Sequence, residues 1–274
     1  MLTRILHVSD LHIGTREAPE IVQPLARLIE ATEPQLVVAS GDLTHRGRPA
    51  EHDRAAGFLR SLGPPVVAIP GNHDLPYSLP KRFTQPFVEF ERRWQTTEPV
   101  FTSPLLHVVG LNSVRPWRQQ SGGVRAAQLE RAAAVLSRAP AGALRVVVLH
   151  HHLIAPPWRS PRKRPVARRN HVLAALVASG AELILAGHVH QATVSERREF
   201  EVSSGGELGV TVSIAPGLGQ PRPHRLGEAR GLHVYEADER SLRVLTYVWR
   251  EDEWGLTASR RFPRGPDVLA VEPA

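Results

Sequence analysis

The sequence predicts an α/β fold on three observations. Short, nearly continuous apolar runs alternate with helical patterns through roughly the first 190 residues, which indicates strands buried on both faces. Five of those runs lead directly into clusters of Asp, Asn, His and Gly, and in α/β sheets ligands gather at the C-terminal ends of strands. Beyond His190, strand-like segments follow one another with no comparable helix between them, which predicts an antiparallel second part.

The elements follow in order. Residues 5–8 read as a strand and 21–31 as a helix, 36–39 as a strand and 50–62 as a helix, 66–69 as a third strand. Phe83, Phe87, Phe90 and Trp94 recur at spacings of four, three and four, which predicts one amphipathic helix over 83–94 with a packing face. Residues 105–111 are strand-like, 126–137 helical, and 146–149 a buried strand. Residues 170–178 are helical with Gly180 as the stop, and 183–186 form another strand. Strands over 193–202, 210–215, 231–236 and 242–249 are joined by turns containing Gly and Pro. One domain over residues 1–262 with a loose tail over 263–274 is the simplest organisation.

The chain has 274 residues, 42% of them hydrophobic, which suffices for a sizeable core. Cysteine is absent, so disulfides and thiolate metal sites are excluded and any metal must be held by nitrogen and oxygen. The N-terminus lacks the apolar segment of a secretory signal, and no apolar run nears the roughly 20 residues of a membrane span. The expectation is a soluble cytoplasmic protein without membrane insertion. The net charge is +7 and nearly all cations are Arg, with Lys81 and Lys163 as the lysines. A basic balance suits an anionic small substrate or nucleic acid. The densest basic run, residues 159–164 with Arg168 and Arg169, reads equally as a solvated loop or an anion contact.

The five clusters are Asp10-Leu11-His12, Gly41-Asp42, Gly71-Asn72-His73-Asp74, His150-His151-His152 and Gly187-His188-Val189-His190. Each alone is a weak signal: Asp42 can cap a turn, Gly-Asn-His-Asp can be a turn, and three histidines can be structural. His188 and His190 point the same way along a strand. Five such clusters at five strand ends point to one site. Carboxylate, amide and imidazole donors suit Mn²⁺, Fe, Co²⁺ or Zn²⁺. A carboxylate such as Asp42 can bridge two cations, and two metals roughly 3.5–4 Å apart can clamp a phosphoryl group.

The series D-x-H, G-D, G-N-H-D, H, G-H-x-H, over residues 4 to about 190, resembles the calcineurin-like metallophosphoesterase superfamily. The resemblance implies two packed mixed β-sheets flanked by helices, an α/β/β/α sandwich. It implies a first metal on Asp10, His12 and His190, a second on Asn72, His150 and His188, and Asp42 as the bridge. The cofactors would be two divalent metal ions, Mn²⁺, Fe²⁺/Fe³⁺, Co²⁺ or Zn²⁺. Hydrolysis would proceed by in-line attack of a metal-bridging hydroxide, with His73 at the leaving oxygen and Asp74 orienting His73 or capping a helix. His150 is preferred over His151 because alternation turns His151 away; His152 can still face the cleft. His45, Asn112, Arg115 and Arg225 are candidate substrate contacts, and the other lone histidines, His7 and His233 among them, are expected to pack or face solvent. Within the superfamily the chain is similar to bacterial cyclic-nucleotide phosphodiesterase-like members. A phosphodiesterase on a small diester, such as a cyclic nucleotide, is the first reading. The alternatives are a DNA nuclease, a phosphomonoesterase or pyrophosphohydrolase, and a catalytically silent metal-binding scaffold.

Overall fold

The computed structural model describes residues 1–15, 19–118, 120–154, 163–197, 209–219 and 229–264. Two six-stranded mixed sheets stack face to face. The first contains β1 (Thr3–Val8), β2 (Leu36–Ala39), β3 (Val66–Ala68), β10 (Gly231–Ala237), β11 (Ser241–Arg250) and β12 (Glu253–Pro263), in the order β12-β11-β10-β1-β2-β3. The second contains β4 (Val100–Thr102), β5 (Leu106–Leu111), β6 (Leu144–Leu149), β7 (Leu183–Ala186), β8 (Thr193–Arg197) and β9 (Val210–Ile214), in the order β4-β5-β6-β7-β9-β8.

Strand alternation distributes the core into three layers. Ile5, Val38 and Ile69 of the first sheet meet Val108, Val146 and Leu185 of the second between the sheets. Their neighbours point outward. Leu6, Val8 and Val37 pack under α1 (Val22–Thr32), α2 (Pro49–Ser61) and α4 (Val88–Trp94) through Leu25, Leu59 and Phe90. Val147, Leu149 and Ile184 pack under α5 (Ala126–Leu136) and α6 (Arg169–Ala178) through Leu136 and Leu176. Because both faces are covered, β2, β5 and β7 are buried at every residue. Each such aliphatic side chain contributes roughly 1.5–3 kcal/mol of burial.

Three expectations change. The single helix over 83–94 is two, α3 (Lys81–Thr84) and α4, and its stripe is split: Phe90 is fully buried while Phe83 is 55% exposed. Pro86 between them has no N–H to give and disfavours helical backbone at Gln85, which sits at φ −142°. The part after His190 is not purely antiparallel. β9 runs parallel to β7, because β8 takes the edge and leaves β9 the place beside β7. Two edge strands, β4 and β12, have no counterpart in the apolar pattern. Both are mostly exposed and are held by backbone pairing to β5 and β11. The expected strand over 193–202 is seen as Thr193–Arg197, with residues 198–202 outside the described part, as are 265–274 of the expected tail.

The inter-sheet layer contains one buried polar cluster. Tyr235 donates its hydroxyl to Ser213 Oγ at 2.7 Å. His233 Nδ1 lies 3.1 Å from both oxygens, and His7 lies 3.1 Å from the tyrosine and 2.8 Å from Ser40 Oγ. Both lone histidines therefore pack, as expected. Burial pushes His233 down to about 3 and lowers His7 as well. An unfolded His233 takes up a proton below about pH 6.5 while the folded one does not. The unfolded state then binds more protons, and stability falls as pH drops through that window, by up to about 1.4 kcal/mol per pH unit for one such group. Urea unfolding of chelator-treated protein between about pH 4.5 and 6.5 should show His233→Gln flattening this acid slope; an unaltered slope would mean His233 is already protonated in the fold.

Candidate metal centre

The ends of β1, β2 and β3 from one sheet and of β6 and β7 from the other open into five loops that hydrogen-bond to one another. Asp10 N donates to Gly41 O at 2.9 Å, His12 N to Asp42 O at 3.0 Å, and Gly187 N to His150 O at 3.0 Å. Asp42 Oδ1 accepts from His73 N at 2.8 Å, and Asp10 Oδ2 accepts from His188 N at 2.9 Å and Ser9 Oγ at 2.6 Å. Asp10, His12, Asp42, His188 and His190 all adopt positive φ, between 49° and 71°. This left-handed conformation costs non-glycine residues on the order of 1–3 kcal/mol each and persists where surrounding structure imposes it.

Two glycines are needed for the loops to approach. A Cβ on Gly71 would lie 2.1 Å from Asp42 N and 2.2 Å from Asp42 Oδ1. A Cβ on Gly187 would lie 1.8 Å from Ser9 Oγ. Neither glycine has positive φ, and close approach is the reason for both.

The side chains form two nests that share one carboxylate, and His12, His45 and His73 form a third group of ligand atoms within 4.8 Å of one another. In the first, ligand atoms of Asp10, His12 and His190 lie within 4.8 Å of one another. His190 Nε2 is 2.9 Å from Asp10 Oδ1 and 3.2 Å from His12 Nε2. In the second, Asp42, His150 and His188 meet the same limit. His150 Nε2 is 3.4 Å from Asp42 Oδ1 and 3.2 Å from His188 Nδ1. The other oxygen of Asp42 lies 3.9 Å from His12 Nε2, so the carboxylate faces both nests.

Backbone carbonyls set the imidazole tautomers. His150 Nδ1–H donates to Ser40 O at 2.8 Å and His188 Nε2–H to Gln120 O at 3.3 Å. The remaining nitrogens, His150 Nε2 and His188 Nδ1, then turn toward the nest. Burial lowers His12, to about 3, and His188 well below the usual range, so both rings are neutral. Burial opposes charge on His150 too, but Asp42 beside it prevails and pushes the ring up to about 9. Burial likewise opposes charge on Asp10 and Asp42, yet His190 beside the first and His150 beside the second hold both carboxyls well below the usual range.

The donor set fits a pair of cations. Asp42 Oδ2 and Asn72 Oδ1 are buried and accept no hydrogen bond, while Asp10 Oδ1 faces His190 Nε2 at 2.9 Å. An orphaned buried carboxylate oxygen is costly unless something positive faces it. Three oxygens and four imidazoles without sulfur suit a first-row divalent ion.

The structure places the other candidates as follows. His73 is buried with Nδ1 2.9 Å from His45 O and 3.2 Å from Tyr77 Oη. The His45 ring stacks on His73 at 5.8 Å and lies 6.3 Å from His12. His151 Nδ1 lies 2.9 Å from Ser113 Oγ with its ring 4.6 Å from that of His188, and His152 lies buried and stacked against His188 at 6.1 Å. Asp74 does not orient the His73 ring. Its Oδ1 accepts from Thr44 N and Oγ1, and its Oδ2 from Gly71 N and Leu43 N, which staples the two loops that carry Asp42 and His73. Arg115 and Asn112 are spent on their own loop. Arg115 donates to Asn112 O, Val114 O and Gln128 Oε1, and Asn112 Oδ1 accepts from Val114 N at 2.9 Å. Arg225 and residues 159–162 of the basic run lie outside the described residues. Tyr77 and Ser9 touch the site without having been singled out in the sequence; four-residue spacing from His73 and adjacency to Asp10 were the available signals.

Because the Gly71 Cβ would collide with backbone and carboxylate rather than with a flexible tip, Gly71→Ala should displace Asp42. The expected outcome is a fold with unchanged far-ultraviolet dichroism that binds Mn²⁺ at least about tenfold more weakly by calorimetry, one contact's worth of energy. Wild-type affinity would show that the loop can yield.

Comparison with known proteins agrees with this geometry. Residues 3–192 match the calcineurin-like phosphoesterase family. A probable cyclic nucleotide phosphodiesterase of Synechococcus sp. is 29% identical over 140 residues, 47% of this chain and 51% of that protein. A cAMP/cGMP dual specificity phosphodiesterase of Mycobacterium tuberculosis is 31% identical over 216 residues, 69% of this chain and 62% of that protein. The chain thus spans between half and two thirds of these relatives' own lengths. Purple acid phosphatase PPD1 of yellow lupin superposes with a TM-score of 0.69 at 13% identity, over 96% of this chain and 54% of that one, a likeness of fold. No helix among the described residues is long and apolar enough to cross a membrane. The chain belongs to the calcineurin-like phosphoesterase family.

Proposed function

We propose that this chain is a dinuclear metal-dependent phosphodiesterase acting on a small diester. The carrying observation is Asp42, buried with one oxygen 3.4 Å from His150 and the other 3.9 Å from His12, between two nests of ligand atoms. Asp10, His12 and His190 would hold one cation and Asn72, His150 and His188 the other, with Asp42 shared. Bound there, Mn²⁺, Fe, Co²⁺ or Zn²⁺ would supply a nucleophile at neutral pH and charge neutralisation for the phosphoryl oxygens.

The chain's own residues prepare that chemistry. Asp42 offsets the repulsion between two cations. The Ser40 and Gln120 carbonyls keep the His150 and His188 lone pairs aimed inward, and the proton that Asp42 holds on His150 must leave when a cation enters. His73, not a ligand in this reading, is fixed by Nδ1–H donating to the His45 carbonyl. Its Nε2 is then the atom left to hold or deliver a proton at the leaving oxygen. His45, stacked on His73, is placed to touch substrate.

Cyclic nucleotides head the candidate diesters because the matched relatives carry that activity in their names. The net charge of +7 favours any anionic substrate, so single-stranded DNA belongs in the same panel. Metal-loaded protein should cleave bis(p-nitrophenyl) phosphate faster than p-nitrophenyl phosphate, lose turnover on chelation and regain it with Mn²⁺. Absence of turnover on every ester with metal bound would leave only a metal-binding scaffold.

Two variants separate the roles. Asp42→Asn should lower bound metal below two equivalents by elemental analysis; two retained ions would remove it from the bridge. His73→Ala should keep both ions yet lose about 10²–10⁴-fold in kcat, the range of general acid–base catalysis. Joint loss of metal and turnover in that variant would instead make His73 a ligand.

A further inference from the structure

A cavity of about 320 Å³ lies between the loop carrying Arg46 and Arg48 and the segment carrying Tyr77 and Lys81. It adjoins His73 through two residues. Arg46 follows His45, whose carbonyl accepts from His73 Nδ1 at 2.9 Å, and Tyr77 Oη lies 3.2 Å from the same nitrogen. On the phosphodiester reading the leaving oxygen lies at His73, and the two residues that link His73 to this cavity mark the side on which a leaving group would extend.

The lining is cationic. Arg46, Arg48 and Lys81 face one carboxylate, Glu89, which Arg92 and Arg93 already hold. Arg48 has partial compensation from Glu51 at 3.9 Å. Among the described residues no carboxylate pairs with Arg46 or Lys81. Both rims are anchored. Arg46 N donates to Glu51 Oε2 at 2.7 Å and Gly47 N to Thr44 Oγ1 at 3.1 Å. On the other rim, buried Arg82 donates to Pro116 O at 3.0 Å. A concave surface lined by one sign of charge focuses its field on an incoming group of opposite sign.

We propose that this cavity is a subsite for a second anionic group on the departing side of the substrate, with Arg46 and Lys81 as its contacts and Tyr77 as its wall. The inference rests on the phosphodiester reading and narrows it. A 3′,5′-cyclic mononucleotide has its only negative charge at the scissile phosphorus and leaves the cavity uncompensated. A diester whose leaving alcohol bears a further phosphate fills it, and the simplest such molecule is a dinucleotide with a terminal phosphate.

The test uses the full Mn²⁺-loaded chain and four substrates: cAMP, the dinucleotide ApA, and ApA bearing a 5′- or a 3′-terminal phosphate. One of the phosphorylated dinucleotides should exceed both cAMP and ApA in kcat/KM by about tenfold or more, the worth of one charge-assisted contact. The Arg46→Gln/Lys81→Gln double variant should bring the ratio of phosphorylated to unphosphorylated dinucleotide toward one, through KM. Equal rates for ApA and both phosphorylated forms, a preference for cAMP, or a ratio untouched in the double variant would overturn the subsite. If no diester is turned over, the phosphodiester reading fails by itself. Calorimetric affinities of the same four ligands then decide the cavity: tighter binding of a phosphorylated form, lost in the double variant, upholds it, and equal binding ends it.

Discussion

The structure depends on keeping the Asp42 carboxylate charged inside protein. Its surroundings are apolar strands and close-packed loops, and an ionised group there is tolerated only if it is compensated. His150 on one side, the His73 amide on the same oxygen and the first nest on the other oxygen provide that compensation. With the protein alone the balance is struck by a proton on His150; with cations present the same geometry serves them. A carboxylate this buried would destabilise a fold that had no use for positive charge at the same point.

The two sheets make that compensation possible. Asp10, Asp42 and Asn72 follow strands of one sheet, and His150, His188 and His190 follow strands of the other. The centre thus exists only where the C-terminal edges of both sheets meet. The apolar layer of Ile5, Val38 and Ile69 against Val108, Val146 and Leu185 sets the spacing between them. Behind the nests, Ser40 links the metal centre to the inter-sheet layer: its carbonyl fixes the His150 tautomer and its hydroxyl meets His7 in the buried polar cluster. Left-handed backbone at five candidate ligands is a cost the loops bear collectively, through bonds from one loop to the next, and it concentrates strain where function lies.

Family membership and specificity come from different parts of the molecule. The family match covers residues 3–192, which hold every residue of the two nests, and on the proposed reading those residues act on a phosphorus atom and its oxygens. On the further proposal, the rest of the substrate is selected by the surface beside His73 that Tyr77, Arg46 and Lys81 line. Those residues belong to a loop and a short helical segment, where lengths and side chains vary most easily without disturbing the sheets.

The sequence by itself determined the central strands, the principal helices and the set of polar clusters, because strands buried on both faces leave continuous apolar runs and Asp, Asn and His beside Gly at strand ends mark ligand sites. It also favoured His150 over His151 as a ligand, on strand alternation, which is local geometry. It did not reveal β4 or β12, whose exposed side chains carry no burial signal, and it joined α3 and α4 across Pro86 because an aromatic stripe outweighed one proline. Only the tertiary structure decided that Asp74 staples two loops, that Arg115 and Asn112 close their own turn, and that Tyr77 stands beside His73. Each of these is a matter of which partner lies within about 3 Å across segments distant in the chain. A pattern along the chain records burial and backbone preference, whereas a hydrogen bond between loops exists only once the sheets beneath them have been stacked.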